Sequence, residues 1–93
     1  MTKIKVSDKI KRSHDLPFQK VMEETVIVSP QKKVMHQLNQ VGSDIWDVLR
    51  QPHKVSKIIK LVTEKYAIDK TTARTDILKF LESLKNQQLI SIK

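Results

Sequence analysis

The chain has 93 residues, a single glycine, no cysteine and a formal charge of +8. That length gives one domain with one small core, and the lack of cysteine rules out a disulfide framework or a thiolate metal site. No apolar run approaches the ~20 residues that span a bilayer, and the lysines of the N-terminus are not followed by the apolar stretch of a secretory signal, so no membrane partner and a cytoplasmic location are expected.

The first segment, residues 1–15, carries Lys3, Lys5, Lys9, Lys11 and Arg12 against Asp8 and Asp15 and reads as a flexible basic arm. A domain over residues 16–93 follows it. Alternation marks a first strand at Phe18 to Met22, β-branched residues mark a second in ETVIVS (Glu24 to Ser29), and KVMHQL (Lys33 to Leu38) alternates again as a third. The Glu23-Glu24 link is short enough for a hairpin and Pro30 suits a type I turn, so an antiparallel meander is expected with the third strand at its edge.

After Leu38 the period becomes helical. Asn39 is an N-cap, with Val41, Ile45, Val48 and Leu49 on one stripe and Trp46 beside it. Beyond Pro52, a second helix turns Val55, Ile58, Ile59, Val62 and Tyr66 inward and Lys54, Lys57, Lys60 and Glu64 to water. Asp69 caps a third, whose buried stripe is Ala73, Ile77, Phe80, Leu81 and Leu84, and Leu89, Ile90 and Ile92 pin the terminus to the core. The fold class is therefore α+β: a three-stranded antiparallel sheet followed by three helices, a winged-helix-like arrangement. Gly42 stands inside the first helix, where glycine costs roughly 1 kcal/mol relative to alanine. Its position just after the third strand predicts a close backbone approach that a Cβ would obstruct.

No catalytic constellation is legible. His14, His36 and His53 lack metal-ligand spacing, Glu23 and Glu24 point apart if extended, Ser43 has no base in register, and there is no glycine-rich phosphate loop. The chemistry is that of a binding module, neither an enzyme nor a cofactor protein. The charge invites a nucleic-acid reading, with Thr71, Thr72, Arg74, Thr75 and Lys79 offered to a groove by a helix-turn-helix. Against it, Asp69 and Asp76 stand on or beside that face, it carries one arginine, and lysines spread without aromatic or arginine clustering read as solubility. A nucleic-acid partner is not expected. A small structural subunit that docks on an enzyme is a third reading.

In LNQVGSDIW, the residues Leu38, Asn39, Gly42, Ile45 and Trp46 resemble a signature of the PqqD family of peptide chaperones, also called RiPP recognition elements. A second signature, a helix reading DV..FL..L and then a leucine, is matched by Asp76, Ile77, Phe80, Leu81, Leu84 and Leu89, and the likeness runs from about Leu16 to Ile92. The resemblance implies a non-catalytic domain that binds the leader of a ribosomally made precursor peptide and presents it to a modifying enzyme. In that family the leader adds to the third strand and lies between it and the third helix. The Trp of the IW pair, the free-standing length and the form of the LN motif look most like the leader-binding partner of lasso-peptide biosynthesis, with a leader peptidase as the enzyme. A PqqD-type chaperone for a radical enzyme is the alternative. Where many members cap the second helix with threonine, this chain has Lys54, which cannot cap.

The residues by themselves allow the same mechanism, since an edge strand carries unpaired N–H and C=O groups that a peptide can complete. The expected peptide-binding residues are Lys33, Val34, Met35, His36 and Gln37 on the third strand. On the third helix they are Thr72, Asp76, Lys79, Phe80 and Ser83.

Overall fold

The computed structural model describes residues 3–13, 16–29 and 33–93, and His14 and the turn expected at Pro30 lie outside them. The elements among the described residues run β1 (Lys9–Arg12), β2 (Phe18–Val21), β3 (Glu24–Ser29), β4 (Val34–Leu38), α1 (Gln40–Val48), β5 (His53–Lys54), α2 (Val55–Tyr66), α3 (Lys70–Asn86) and β6 (Ile90–Ile92). The meander is present as the antiparallel sheet β2-β3-β4, and the three helices follow it as the hydrophobic periods require. Val21 pairs with Glu24, so the first hairpin turns on Met22 and Glu23, one residue earlier than the expected link, with Met22 in the left-handed region at φ 60°.

A second sheet, in the order β5-β1-β6, lies outside the expected architecture. It corrects the reading of the basic segment as a flexible arm. Ile10 is fully buried, Ile4 joins the same core, and β1 pairs with both β5 and β6. The run Lys9-Ile10-Lys11 is a short period-2 strand whose one apolar side chain points inward, a signal that its charge conceals in the sequence.

This packing also explains how α2 begins without a capping side chain. Lys54 makes no side-chain cap bond. The N–H groups of Val55 and Ser56 instead donate to the carbonyls of Asp8 (2.9 Å) and Val6 (3.0 Å), so backbone of the N-terminal segment supplies the cap. The other two helices start as expected. The Asn39 side chain accepts from Gly42 N–H in α1, and that of Asp69 from Thr72 N–H in α3.

Ile27 and Leu38 from the meander, Trp46 and Leu49 from α1, Ile58 from α2, and Leu81 from α3 meet in one core. Trp46, expected beside the buried stripe, has no exposure at all. Arg12 clamps it. The guanidinium lies 4.5 Å from the Trp46 ring centroid and 4.8 Å from that of Phe18, while its Nε and Nη2 both donate to the Trp46 carbonyl. Burial lowers the Arg12 pKa, and Asp47, 3.8 Å away, opposes the shift. One arginine thus ties the second sheet to the meander through a stacked, hydrogen-bonded contact.

Candidate functional site

The hydrogen bonding of the meander decides which backbone groups are free. Phe18 stands opposite Ile27, and Val28 N–H donates to the Pro17 carbonyl at 2.8 Å. Alternate residues of a strand direct their amides to opposite neighbours, so Glu24, Val26 and Val28 bond toward β2 and Thr25, Ile27 and Ser29 toward β4. Their register partners Leu38, His36 and Val34 are therefore the inward-bonded residues of β4. Met35 and Gln37 aim N–H and C=O away from β3, at an edge with which no strand pairs among the described residues. Lys33, at φ 56°, donates its own N–H back to the Ser29 carbonyl and closes the hairpin.

Side chains alternate as well. Val34, His36 and Leu38 share the face of Ile27 and turn toward the helices, whereas Met35 (72% exposed) and Gln37 lie on the outer face. Gln37 Nε2 donates to Glu24 across the strands. His36 is partly buried, and its Nε2 is shielded from solvent with no hydrogen-bond partner among the described residues.

Where β4 ends, a cavity of about 280 Å³ opens between the helices, lined among others by Asn39, Gly42, Val62, Asp76, Ile77 and Phe80. Its form depends on the single glycine. A Cβ on Gly42 would stand 3.0 Å from Phe80 Cζ and 3.3 Å from Asn39 Oδ1, so the neighbour that comes close is the Phe80 ring and not the backbone expected from the sequence. Asp76 and Phe80 share this cavity. Lys79 and Ser83 do not: they line a separate open depression with Lys3, Ile4 and Glu82, where Glu82 accepts from Ile4 N–H. Thr72 is engaged with Asp69 at the start of α3. The expected row on the third helix is thus divided between two surfaces. Asn39 joins the cavity lining in addition to capping α1, a second role that its capping signal does not reveal.

Among the described residues no group of three His, Cys, Asp or Glu side chains could hold a metal ion, and no helix is long and apolar enough to cross a membrane. The site offers main-chain donors and acceptors at an edge, one apolar cavity and a carboxylate at its rim, an arrangement suited to holding an extended peptide.

No curated protein matches the sequence significantly. The structure titled "TbiB1 in Complex with the TbiA(beta) Leader Peptide" is 27% identical, with a TM-score of 0.79 over 87% of this chain and 94% of that one. The PqqD truncation of Methylobacterium extorquens PqqCD, described as a functional and stand-alone RiPP recognition element, is 17% identical and shares the fold, with a TM-score of 0.78 over 95% of this chain and 94% of that one. The family described as coenzyme PQQ synthesis protein D matches residues 24–90, well over half of the sequence. The chain belongs to the PqqD family and has the fold of a RiPP recognition element.

Proposed function

We propose that this chain is a non-catalytic carrier that takes the leader of a ribosomally synthesised precursor peptide as an added strand on β4 and delivers it to a modifying enzyme. The single observation that carries the reading is the free backbone of Met35 and Gln37 at an edge that ends beside the Phe80 cavity. In this reading the guest strand exchanges main-chain hydrogen bonds with those two residues. Its side chains alternate between the outer sheet face and the face turned toward the helices, where Asp76 and Phe80 line the neighbouring cavity. The likeness to a structure that contains a leader peptide supports it. The form of the LNQVGSDIW motif favours the leader peptidase of a cytoplasmic lasso-peptide pathway as the receiving enzyme.

Calorimetric titration of the precursor's leader segment tests the site. Removing one partner of a desolvated polar contact costs about 1–3 kcal/mol, or roughly five- to 150-fold in affinity. Asp76→Ala is expected to weaken binding within that range at unchanged melting temperature, Lys79→Ala, on the separate depression, to leave it near wild type, and Phe80→Ala to lower both affinity and stability. Wild-type affinity in Asp76→Ala, or a larger loss in Lys79→Ala than in Asp76→Ala, places the peptide elsewhere. The lasso assignment is tested by leader-peptidase turnover, which this chain should accelerate on the full precursor and leave unchanged on a leaderless one.

A further inference from the structure

The face of the second sheet opposite the core is built of like charges. Ile10 points into the core, so its neighbours Lys9 and Lys11 point away from it. Lys9 stands in register with Lys54 of β5 on one side, and on the other its carbonyl accepts from Lys93, the residue after β6. Lys11 stands opposite Ser91. Adjacent strands lie about 4.8 Å apart and alternate residues about 6.8 Å, so four lysine stems rise from a small patch. None of the residues in these strands is acidic, and none of the four lysines forms a salt bridge among the described residues.

Like charges directly opposite one another destabilise a sheet, and one glutamate at position 9 would convert two repulsive pairs into attractive ones. We infer that the lysine face of β5-β1-β6 is an electrostatic docking surface for an acidic surface of the enzyme that receives the peptide. The inference rests on the carrier function proposed above. It follows from a carrier's need for two surfaces: the peptide occupies β4 and the Phe80 cavity, and none of Lys9, Lys11, Lys54 and Lys93 lines that cavity or lies on that edge. Complementary charge steers encounter and is steeply salt-dependent, which suits a contact that must form and release with each peptide delivered. Duplex nucleic acid fits the face less well, because it offers neither the arginine forks that read bases nor aromatic rings for stacking.

Three measurements on the full chain at about 0.15 M salt decide it. The first is leader affinity by calorimetry. The second is the rate at which the modifying enzyme processes the precursor as the chain is titrated in. The third is amide-shift mapping with an oligo-glutamate peptide and, separately, a short duplex DNA. Lys9→Glu is expected to keep leader affinity, to raise the melting temperature by a few degrees, and to raise the chain concentration needed for half-maximal turnover about tenfold or more. Oligo-glutamate shifts should centre on Lys9, Lys11, Lys54 and Ser91. Unchanged turnover in Lys9→Glu, shifts spread evenly over all exposed lysines, or tighter mapping of the DNA to this face overturns the inference. If the wild-type chain fails to bind the leader at all, it is the carrier function that falls. A loss of leader affinity in Lys9→Glu would place the face within the peptide site and overturn the docking assignment alone.

Discussion

Replacing Met35 by proline removes one N–H from β4 and leaves every bond between β3 and β4 in place, because the register directs that N–H outward. Met35 and Gln37 together offer a guest strand two donors and two acceptors. Met35→Pro deletes one donor and leaves a guest carbonyl unpaired, at a cost of about 1–3 kcal/mol, or roughly five- to 150-fold in affinity. Proline is tolerated on an edge strand when its nitrogen faces outward, and Val34 before it is already extended. His36→Pro is the internal control. It removes a ladder bond to Ile27, a fully buried residue, and leaves the Ile27 carbonyl unpaired, which is expected to lower stability by about 1–3 kcal/mol. Met35→Ala keeps the N–H and should change affinity by much less than Met35→Pro. The assay is calorimetric titration of the leader beside urea unfolding of each variant. Strand addition to β4 is refuted by a folded Met35→Pro variant that binds at wild-type affinity. The deduced register is refuted if Met35→Pro and His36→Pro destabilise equally.

Further variants probe the supports of the site. Gly42→Ala is expected to be nearly neutral, since the ~1 kcal/mol gained in helix propensity offsets the 3.0 Å contact with Phe80, whereas Gly42→Val should lower stability by about 1–3 kcal/mol. Adding Phe80→Leu should recover part of that loss, and strict additivity in the double-mutant cycle refutes the contact. Arg12→Ala is expected to cost about 1–3 kcal/mol by loss of its stack on Trp46 and its bonds to the Trp46 carbonyl, with Arg12→Lys recovering only part; denaturant midpoints of both variants against Lys11→Ala measure it. Desolvation pushes the Asp44 carboxyl up, but hydrogen bonds from Lys65 and Tyr66 outweigh it and hold the pKa below the ordinary aspartate value. Such a depressed carboxylate stabilises the fold above its unfolded pKa of about 3.9 and loses that contribution as pH falls through the folded value. Asp44→Asn should therefore melt below wild type at neutral pH, with the gap closing under about pH 4, and a gap independent of pH refutes the linkage.

Local patterns alone determined much of this protein. The three helices, two of their caps and the meander follow from period, capping chemistry and β-branching, which act over a few residues. The fates of Ile4, Ile10 and Arg12 were not legible, because a short lysine-rich stretch is the same in sequence whether it is solvated or pairs with segments some forty and eighty residues later. The same holds for the start of α2, capped by carbonyls of Val6 and Asp8 rather than by a neighbouring side chain. At the site, alternation identified β4 as an edge but left open which residues turn outward, and the pairing register settled it in favour of Met35 and Gln37. Helical spacing put Asp76, Lys79 and Ser83 in one row, yet only the packing of α1 and the N-terminal segment against α3 could divide that row between two surfaces, since a helical period gives the direction of a side chain and not the neighbour it meets.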